Sequence, residues 1–196
     1  LTVNSAWSFL SQRLGVLSGK RIAILGAGNI GSKLALKLVE CGADVHIYRQ
    51  QAHVGYQITN GLNLIKHENT VSNITFHNSL LSTSFSADVV VGCTNGVPII
   101  DNEVIQTVKK NALVVDLGKN NITADAIKLA IKNKLEIYRV DVTAALEGFI
   151  YEMLKMRDVL NSSYGKKALS FCNIVSGGYL GEDGDVIVDD ISKPSV

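Results

Sequence analysis

The residues with the clearest chemical meaning are Gly26, Ala27, Gly28, Asn29, Ile30 and Gly31, a G-x-G-x-x-G spacing. They follow the short apolar run Arg21-Ile22-Ala23-Ile24-Leu25, and they open a segment in which Leu34, Ala35, Leu38 and Val39 recur at helical spacing up to Gly42. The first glycine of such a group permits a tight turn, the second removes a Cβ from the path of a ligand, and the third lets the helix pack closely on the strand. A helix that begins there points unpaired N–H groups and the positive end of its dipole outward, which favours an anion. Asp44-Val45-His46-Ile47-Tyr48 reads as the next strand and closes a βαβ unit, the setting in which this spacing holds the diphosphate of a dinucleotide.

The tip of that second strand distinguishes one dinucleotide from another. A ribose with a free 2′-OH is usually held there by Asp or Glu, whereas a 2′-phosphate is met by a guanidinium, which pairs with it bidentately and stacks on adenine. The tip reads Tyr48-Arg49-Gln50 and carries no acid, and Asp44 sits at the opposite end of the strand. The expected cofactor is therefore NADP, with NAD as the alternative, and Arg49 is the discriminating residue.

The elements that must position these residues alternate along the chain. An amphipathic helix is expected over 3–14, then the strand, glycine turn and helix just described. A polar helix or loop follows at 52–67, then a weak strand at Ile74-Thr75-Phe76 and a strong one over Asp88–Cys93. Helical spacing returns at 101–110, followed by a strand Ala112–Asp116, a helix over 123–133 with Thr123 as N-cap, and a strand Leu135–Val140. Strands that are apolar on both faces and alternate with helices predict a doubly wound parallel α/β sheet in the order 3-2-1-4-5-6. The expected division is an N-terminal linker helix over 1–16, a dinucleotide-binding domain over 17–142, and a C-terminal extension over 143–196. That extension comprises a long helix from 143 to 160, a segment rich in Gly and acids at 176–185, and a short strand at Val186-Ile187-Val188.

Open α/β sheets bind ligands beyond the carboxyl ends of their strands, so the remaining candidates stand at those tips. Cys93, Thr94, Asn95 and Gly96 follow the fourth strand, and Gly118 follows the fifth; these are expected to line the cofactor. Thr94, Asn95, Asp116, Lys119, Asn120 and Asp141 are expected on one rim with Gly28. Lys119 and Asp116 are the candidates for catalysis, Lys119 because an ammonium there would polarise a carbonyl or move a proton. Asp116 reads more readily as an anchor of the loop or of a ribose. Cys93 reads as a small buried hydrophobe more than a nucleophile, and His46 as a core or helix-facing histidine. His53, His67 and His77 are scattered without ligand spacing, and Glu182-Asp183-Gly184-Asp185 lacks the pattern of a calcium loop and reads as a solvated turn, so no metal site is expected.

On three stretches the sequence resembles the NAD(P)-binding Rossmann domains of the group formed by shikimate/quinate dehydrogenases, D-2-hydroxyacid dehydrogenases and adenosylhomocysteine hydrolase. These are residues 17–31, Ala87-Asp88-Val89-Val90-Val91-Gly92-Cys93-Thr94-Asn95-Gly96, and Val114-Val115-Asp116-Leu117-Gly118. The resemblance implies that the second stretch lies beside the nicotinamide ribose and the third beside the nicotinamide. Tyr48-Arg49-Gln50 is closer to the Asn-Arg-Thr strand end of shikimate dehydrogenases, which implies NADP, than to the acid-ended hydroxyacid dehydrogenases. Neither the Lys/Asp pair of the shikimate enzymes nor the Arg-Glu-His set of the hydroxyacid dehydrogenases is matched.

Composition narrows the partners. With 196 residues, 46% of them hydrophobic, and a formal net charge of +1, the chain can build a sizeable core; it carries no basic run for nucleic acid and no apolar stretch long enough to span a bilayer. A small-molecule substrate is expected, with no nucleic acid and no membrane, and with a homodimer or a substrate domain outside this chain. Three scattered cysteines and no recognisable leader lead to the expectation of a cytoplasmic protein, and Leu1 in place of a methionine reads as a fragment or a processed chain. The expected function is the cofactor domain of an NADP-dependent oxidoreductase acting on a small carbonyl, imine or hydroxyl compound. A non-catalytic dinucleotide-binding module and an NAD-using hydrolase-like domain are the alternatives.

Overall fold

The computed structural model describes residues 1–194, with all side chains except those of residues 144 and 145; the last two residues of the expected extension lie outside the described residues. The elements run α1 (Thr2–Leu14), β1 (Arg21–Leu25), α2 (Asn29–Glu40), β2 (Asp44–Tyr48), α3 (Ala52–Ile65), β3 (Ile74–His77), α4 (Leu80–Ser84), β4 (Val89–Gly92), α5 (Asn102–Thr107), β5 (Leu113–Asp116), α6 (Ala124–Lys132) and β6 (Glu136–Arg139). There follow α7 (Thr143–Ser163), β7 (Gly165–Ala168), β8 (Asn173–Ser176) and β9 (Val186–Ile187). Two compact units result, Leu1–Val142 and Thr143–Val196.

In the first unit six parallel strands pair in the order β3-β2-β1-β4-β5-β6, the doubly wound order expected from the alternation. The period-2 alternation of the strands divides the core in two. Ile22, Ile24, Val45, Ile47, Val89, Val91 and Val115 face one layer with Leu10 of α1 and Leu34 and Leu38 of α2. Ala23, Leu25, Val90 and Val114 face the other with Val104 of α5 and Ala126 and Ala130 of α6. Thr123 caps α6 as expected, its hydroxyl accepting from the Ala126 N–H at 3.2 Å. The polar region at 52–67 resolves into α3, and the expected helix at 101–110 stops at Thr107 because Val108 has extended backbone.

The second unit joins α7 to a three-stranded sheet, β7-β8-β9, in which β7 and β8 run antiparallel and β8 and β9 parallel. The acidic segment is more than the solvated turn expected: the Asp185 carboxylate is 5% exposed and lies 2.9 Å from Lys166 Nζ, and it also accepts the Glu182 N–H at 2.8 Å.

His46 and His77 are 31 residues apart in sequence and nothing in their spacing relates them, yet adjacent strands bring them together. His46 Nδ1 lies 2.7 Å from His77 Nε2, and His46 Nε2 lies 2.8 Å from Asp44 Oδ2, an oxygen that Arg21 Nη1 also reaches at 3.5 Å. With His46 neutral, the carboxylate fixes the proton on Nε2, so Nδ1 accepts from His77 Nε2–H. Burial lowers the pKa of His46 below 6.5 against the pull of Asp44, and burial, His46 and Arg21 lower that of His77. The unfolded chain then takes up protons that the folded chain refuses, so stability is complete above the ordinary histidine range and falls as pH drops below 6.5. Urea denaturation from pH 8 to 5 is expected to show this fall. In His77→Gln, which keeps a donor but cannot be protonated, the fall shrinks; a profile identical to the parent would remove the pair from the account.

Candidate functional site

The carboxyl ends of β1, β2, β4 and β5 open into a cleft of about 860 Å³. Its floor is the glycine turn. Gly26 has φ +111°, a conformation L side chains rarely adopt, and a Cβ there would lie 2.8 Å from the Cys93 carbonyl carbon. A Cβ on Gly31 would collide with the Gly26 carbonyl oxygen, so the helix can sit this close to the strand only with glycine at that place. Gly28 differs: a Cβ there would meet nothing within 4 Å, because its open side is the cleft itself. Gly28 is also the N-cap of α2, and no side chain caps the helix. The first-turn N–H groups of α2 therefore face a space the protein leaves clear, which is what a diphosphate requires.

β2 is tied to this floor, since the N–H groups of Gly26 and Ala27 both donate to the Tyr48 carbonyl, at 3.1 and 3.0 Å. Arg49 then bends back, its Nη1 donating to the Ala27 carbonyl at 2.7 Å, while its Nε is buried without a hydrogen-bond partner. The guanidinium thus lines the cleft with donor capacity that the protein does not use. The lining includes two cations, Arg49 and Lys119, and no carboxylate.

The opposite wall comes from the loops after β4 and β5, which are joined by Asn121 and by a short bridge in which the Thr123 N–H donates to the Ile100 carbonyl at 3.0 Å. Asn121 is fully buried. Its Oδ1 accepts the Thr94 N–H at 2.7 Å, and its Nδ2 donates to the carbonyls of Thr94 and Lys119 at 3.3 and 3.2 Å. Its own carbonyl accepts the N–H groups of Ile99 and Ile100, both at 2.9 Å. Asp116 completes the clamp, accepting the N–H groups of Gly118 at 3.1 Å and Asn121 at 3.4 Å. The loop so held carries Lys119 and Asn120 with φ +61° each.

Of the residues expected to hold the cofactor, Gly26, Ala27, Gly28, Asn29, Ile30, Tyr48, Arg49, Gln50, Cys93, Thr94, Asn95 and Gly118 line the cleft, and Lys119 stands at it. Gly31 lies behind the turn, and Gly96 forms a turn with φ +73° outside the lining. Asp116 is not part of the lining: it is 5% exposed and accepts backbone N–H groups, the arrangement of a loop anchor. Asn120 and Asp141, expected on the rim, are not part of the lining either. Burial, with Asp116 adding to it, pushes the Cys93 thiol up to about 12, so it stays protonated at neutral pH. Leu117, from the third resembling stretch, adds an apolar wall, as do Leu80, Val97 and Ile99, to which no motif points; Val97, 58% exposed, marks the mouth. Among the described residues no three His, Cys, Asp or Glu side chains converge as a metal site, and no helix is long and apolar enough to cross a membrane.

These features fit a nicotinamide dinucleotide: a cleared anion cradle at a helix N-terminus, a strand-tip arginine, and flat apolar walls at the point where strand order reverses. Comparison with known proteins agrees. The chain is 27% identical over 115 residues to a glutamyl-tRNA reductase of Thermosipho melanesiensis, an alignment covering 57% of this chain and 28% of the reductase. A dipicolinate synthase from Bacillus halodurans shares the fold with a TM-score of 0.58 at 15% identity, over 70% of this chain and 44% of that one. The dipicolinate synthase from Bacillus subtilis does so at 0.54 and 16%, over 79% and 52%. Salmonella D-lactate dehydrogenase gives 0.50 and 14%, over 70% and 44%. The chain thus spans under a third of the curated relative and about half of these solved chains. Residues 2–160 match a family of cofactor domains, and the chain belongs to it: the NAD binding domain of D-isomer specific 2-hydroxyacid dehydrogenases.

Proposed function

We propose that this chain is the NADP-binding part of an oxidoreductase that moves hydride between the nicotinamide and a small carbonyl, imine or hydroxyl compound. The observation that carries the choice of NADP is Arg49 at the tip of β2, in a cleft whose lining has no acid to hold a free 2′-OH. Gly28 and the first turn of α2 would hold the diphosphate, and Arg49 would pair with the 2′-phosphate. When bound, the cofactor supplies the hydride at C4 of the nicotinamide; the protein supplies position and charge. Lys119, held at the cleft by the Asn121 clamp, polarises the substrate oxygen or passes a proton to it. The substrate is expected to be held partly by another domain or another chain, as the partial coverage of the relatives supports.

Titration calorimetry with NADPH and NADH tests the cofactor choice. The parent is expected to bind NADPH more tightly. Arg49→Ala is expected to weaken NADPH roughly tenfold to a hundredfold, the loss of one or two charge-assisted hydrogen bonds, while NADH changes by about twofold or less. Equal losses for both would remove NADP preference from the reading. A dinucleotide-binding module without turnover is favoured by one observation, that Asp116 is tied to backbone and Cys93 is held protonated, leaving Lys119 as the catalytic candidate. Oxidation of NADPH with any of a panel of small carbonyl compounds by the parent, lost in Lys119→Met, supports the enzyme; tight binding without turnover by the full-length protein supports the module.

A further inference from the structure

We infer, on the reading that a nicotinamide dinucleotide fills the cleft, that Asn121 is the positioning residue for its nicotinamide half, and that the adenine half is held without it. A dinucleotide lies across the point where strand order reverses, here between β1 and β4. With the diphosphate at the start of α2 and Arg49 at the tip of β2, the nicotinamide end falls on the β4–β5 side, among Thr94, Asn95, Gly118 and Lys119. The two sides of the cleft are braced separately. On the adenine side the N–H groups of Gly26 and Ala27 donate to the Tyr48 carbonyl, and Arg49 donates to the Ala27 carbonyl. On the other side the three hydrogen bonds of the Asn121 side chain all end on the main chain of Thr94 and Lys119, two residues that line the cleft.

Two sets of bonds join the loops after β4 and β5, and they hold different things. One runs from main chain to main chain: Ile99 and Ile100 donate to the Asn121 carbonyl, both at 2.9 Å, and Thr123 donates to the Ile100 carbonyl at 3.0 Å. These bonds need no side chain at 121 and keep the loops together without one. The other is the Asn121 amide, which accepts the Thr94 N–H at 2.7 Å and donates to the Lys119 carbonyl at 3.2 Å, spanning from one cleft residue to the other. Lys119 and Asn120 have φ +61° each, a conformation that persists in an L-residue only where its surroundings impose it, and the bond to the Lys119 carbonyl is part of that restraint. The side chain therefore sets where Thr94 and Lys119 stand, while the main-chain bonds decide that the loops meet.

Calorimetric titration of the full chain with NADPH and with 2′-phosphoadenosine 5′-diphosphate, the coenzyme without its nicotinamide riboside, tests this. The parent is expected to bind NADPH at least about tenfold more tightly than the truncated probe. Asn121→Ala is expected to weaken NADPH by roughly that factor and to leave the truncated probe within about twofold of the parent, so that binding of the probe itself shows an intact fold. A loss of stability alone would lower both affinities by one factor, that of the folded fraction. Gly92→Ala reaches Asn121 from a place outside the cleft lining, since a Cβ on Gly92 would lie 2.6 Å from that of Asn121 and displace the amide. The same selective loss of NADPH is expected from it, and it decides the matter if Asn121→Ala does not fold. In whichever variant folds, equal losses for the two probes or an unchanged NADPH affinity overturns the proposal. The series is repeated with NADH and adenosine 5′-diphosphate. A parent that binds NADH more tightly than NADPH refutes the NADP preference and leaves Asn121 to be judged by the same comparison on that pair; a parent that binds neither coenzyme overturns the dinucleotide reading and the role of Asn121 with it.

Discussion

Replacing Gly28 with aspartate is expected to abolish dinucleotide binding while leaving the protein slightly more stable. The position has φ −90°, so a side chain costs no backbone strain, and a Cβ there meets no protein atom within 4 Å. It is also the uncapped N-cap of α2. Aspartate is among the best residues for that role, accepting an N–H of the first turn and complementing the helix dipole, worth a few tenths of a kcal/mol over glycine. The same carboxylate would occupy the space and the N–H groups that a diphosphate needs, and would repel it. Binding of NADPH or NADH is expected to fall at least about a hundredfold, ~2.7 kcal/mol. Calorimetric titration paired with a thermal melt reads both effects; retained affinity at unchanged melting temperature would mean that the cofactor does not lie over this turn. Most damaging substitutions lower binding and stability together, so the opposite signs are what separate a ligand cradle from a structural turn.

The second large effect is expected at Asn121, on stability. Its side chain makes three hydrogen bonds in a fully buried place, and Gly92 and Gly118 leave the room it fills, since a Cβ on either would come within 2.6 Å of it. Asn121→Leu keeps the volume and removes the polar atoms, stranding the Thr94 N–H and two carbonyls. Leaving buried backbone groups unpaired costs about 2–4 kcal/mol in total, a fall in melting temperature of roughly 5–15 °C for a domain of this size. A shift under about 2 °C would show that the loops after β4 and β5 are held by something else.

How far this molecule can be read from its residues depends on how each part is stabilised. The strands announce themselves as short continuous apolar runs, as in Ile22–Leu25 and Val89–Val91, and the doubly wound order follows from their alternation with helices and the handedness of βαβ units, while the face each residue takes is a finding of the structure. The glycine turn is legible because its constraint is steric and acts on neighbouring residues. What stayed hidden is held by local polar bonds. α4 is five residues long, capped by Ser79 and tied through Thr83 and Ser84 to carbonyls one turn back, and it has no apolar period to detect. β7, Gly165-Lys166-Lys167-Ala168, carries no apolar alternation, and the partner of its Lys166 is Asp185, far along the chain. Asn121 and the His46–His77 pair escaped for a related reason: a buried polar side chain is recognised by the partner it finds, and tertiary structure supplies the partner.

The loop after β5 has one more implication. Left-handed backbone costs an L-residue about 1–2 kcal/mol, and asparagine bears it more easily than lysine does. Glycine at 119 would relieve that tension without disturbing the Asn121 bonds, which reach only the main chain there. The strain is borne by a lysine that lines the cleft beyond the carboxyl ends of the strands, the place that the role proposed for Lys119 requires.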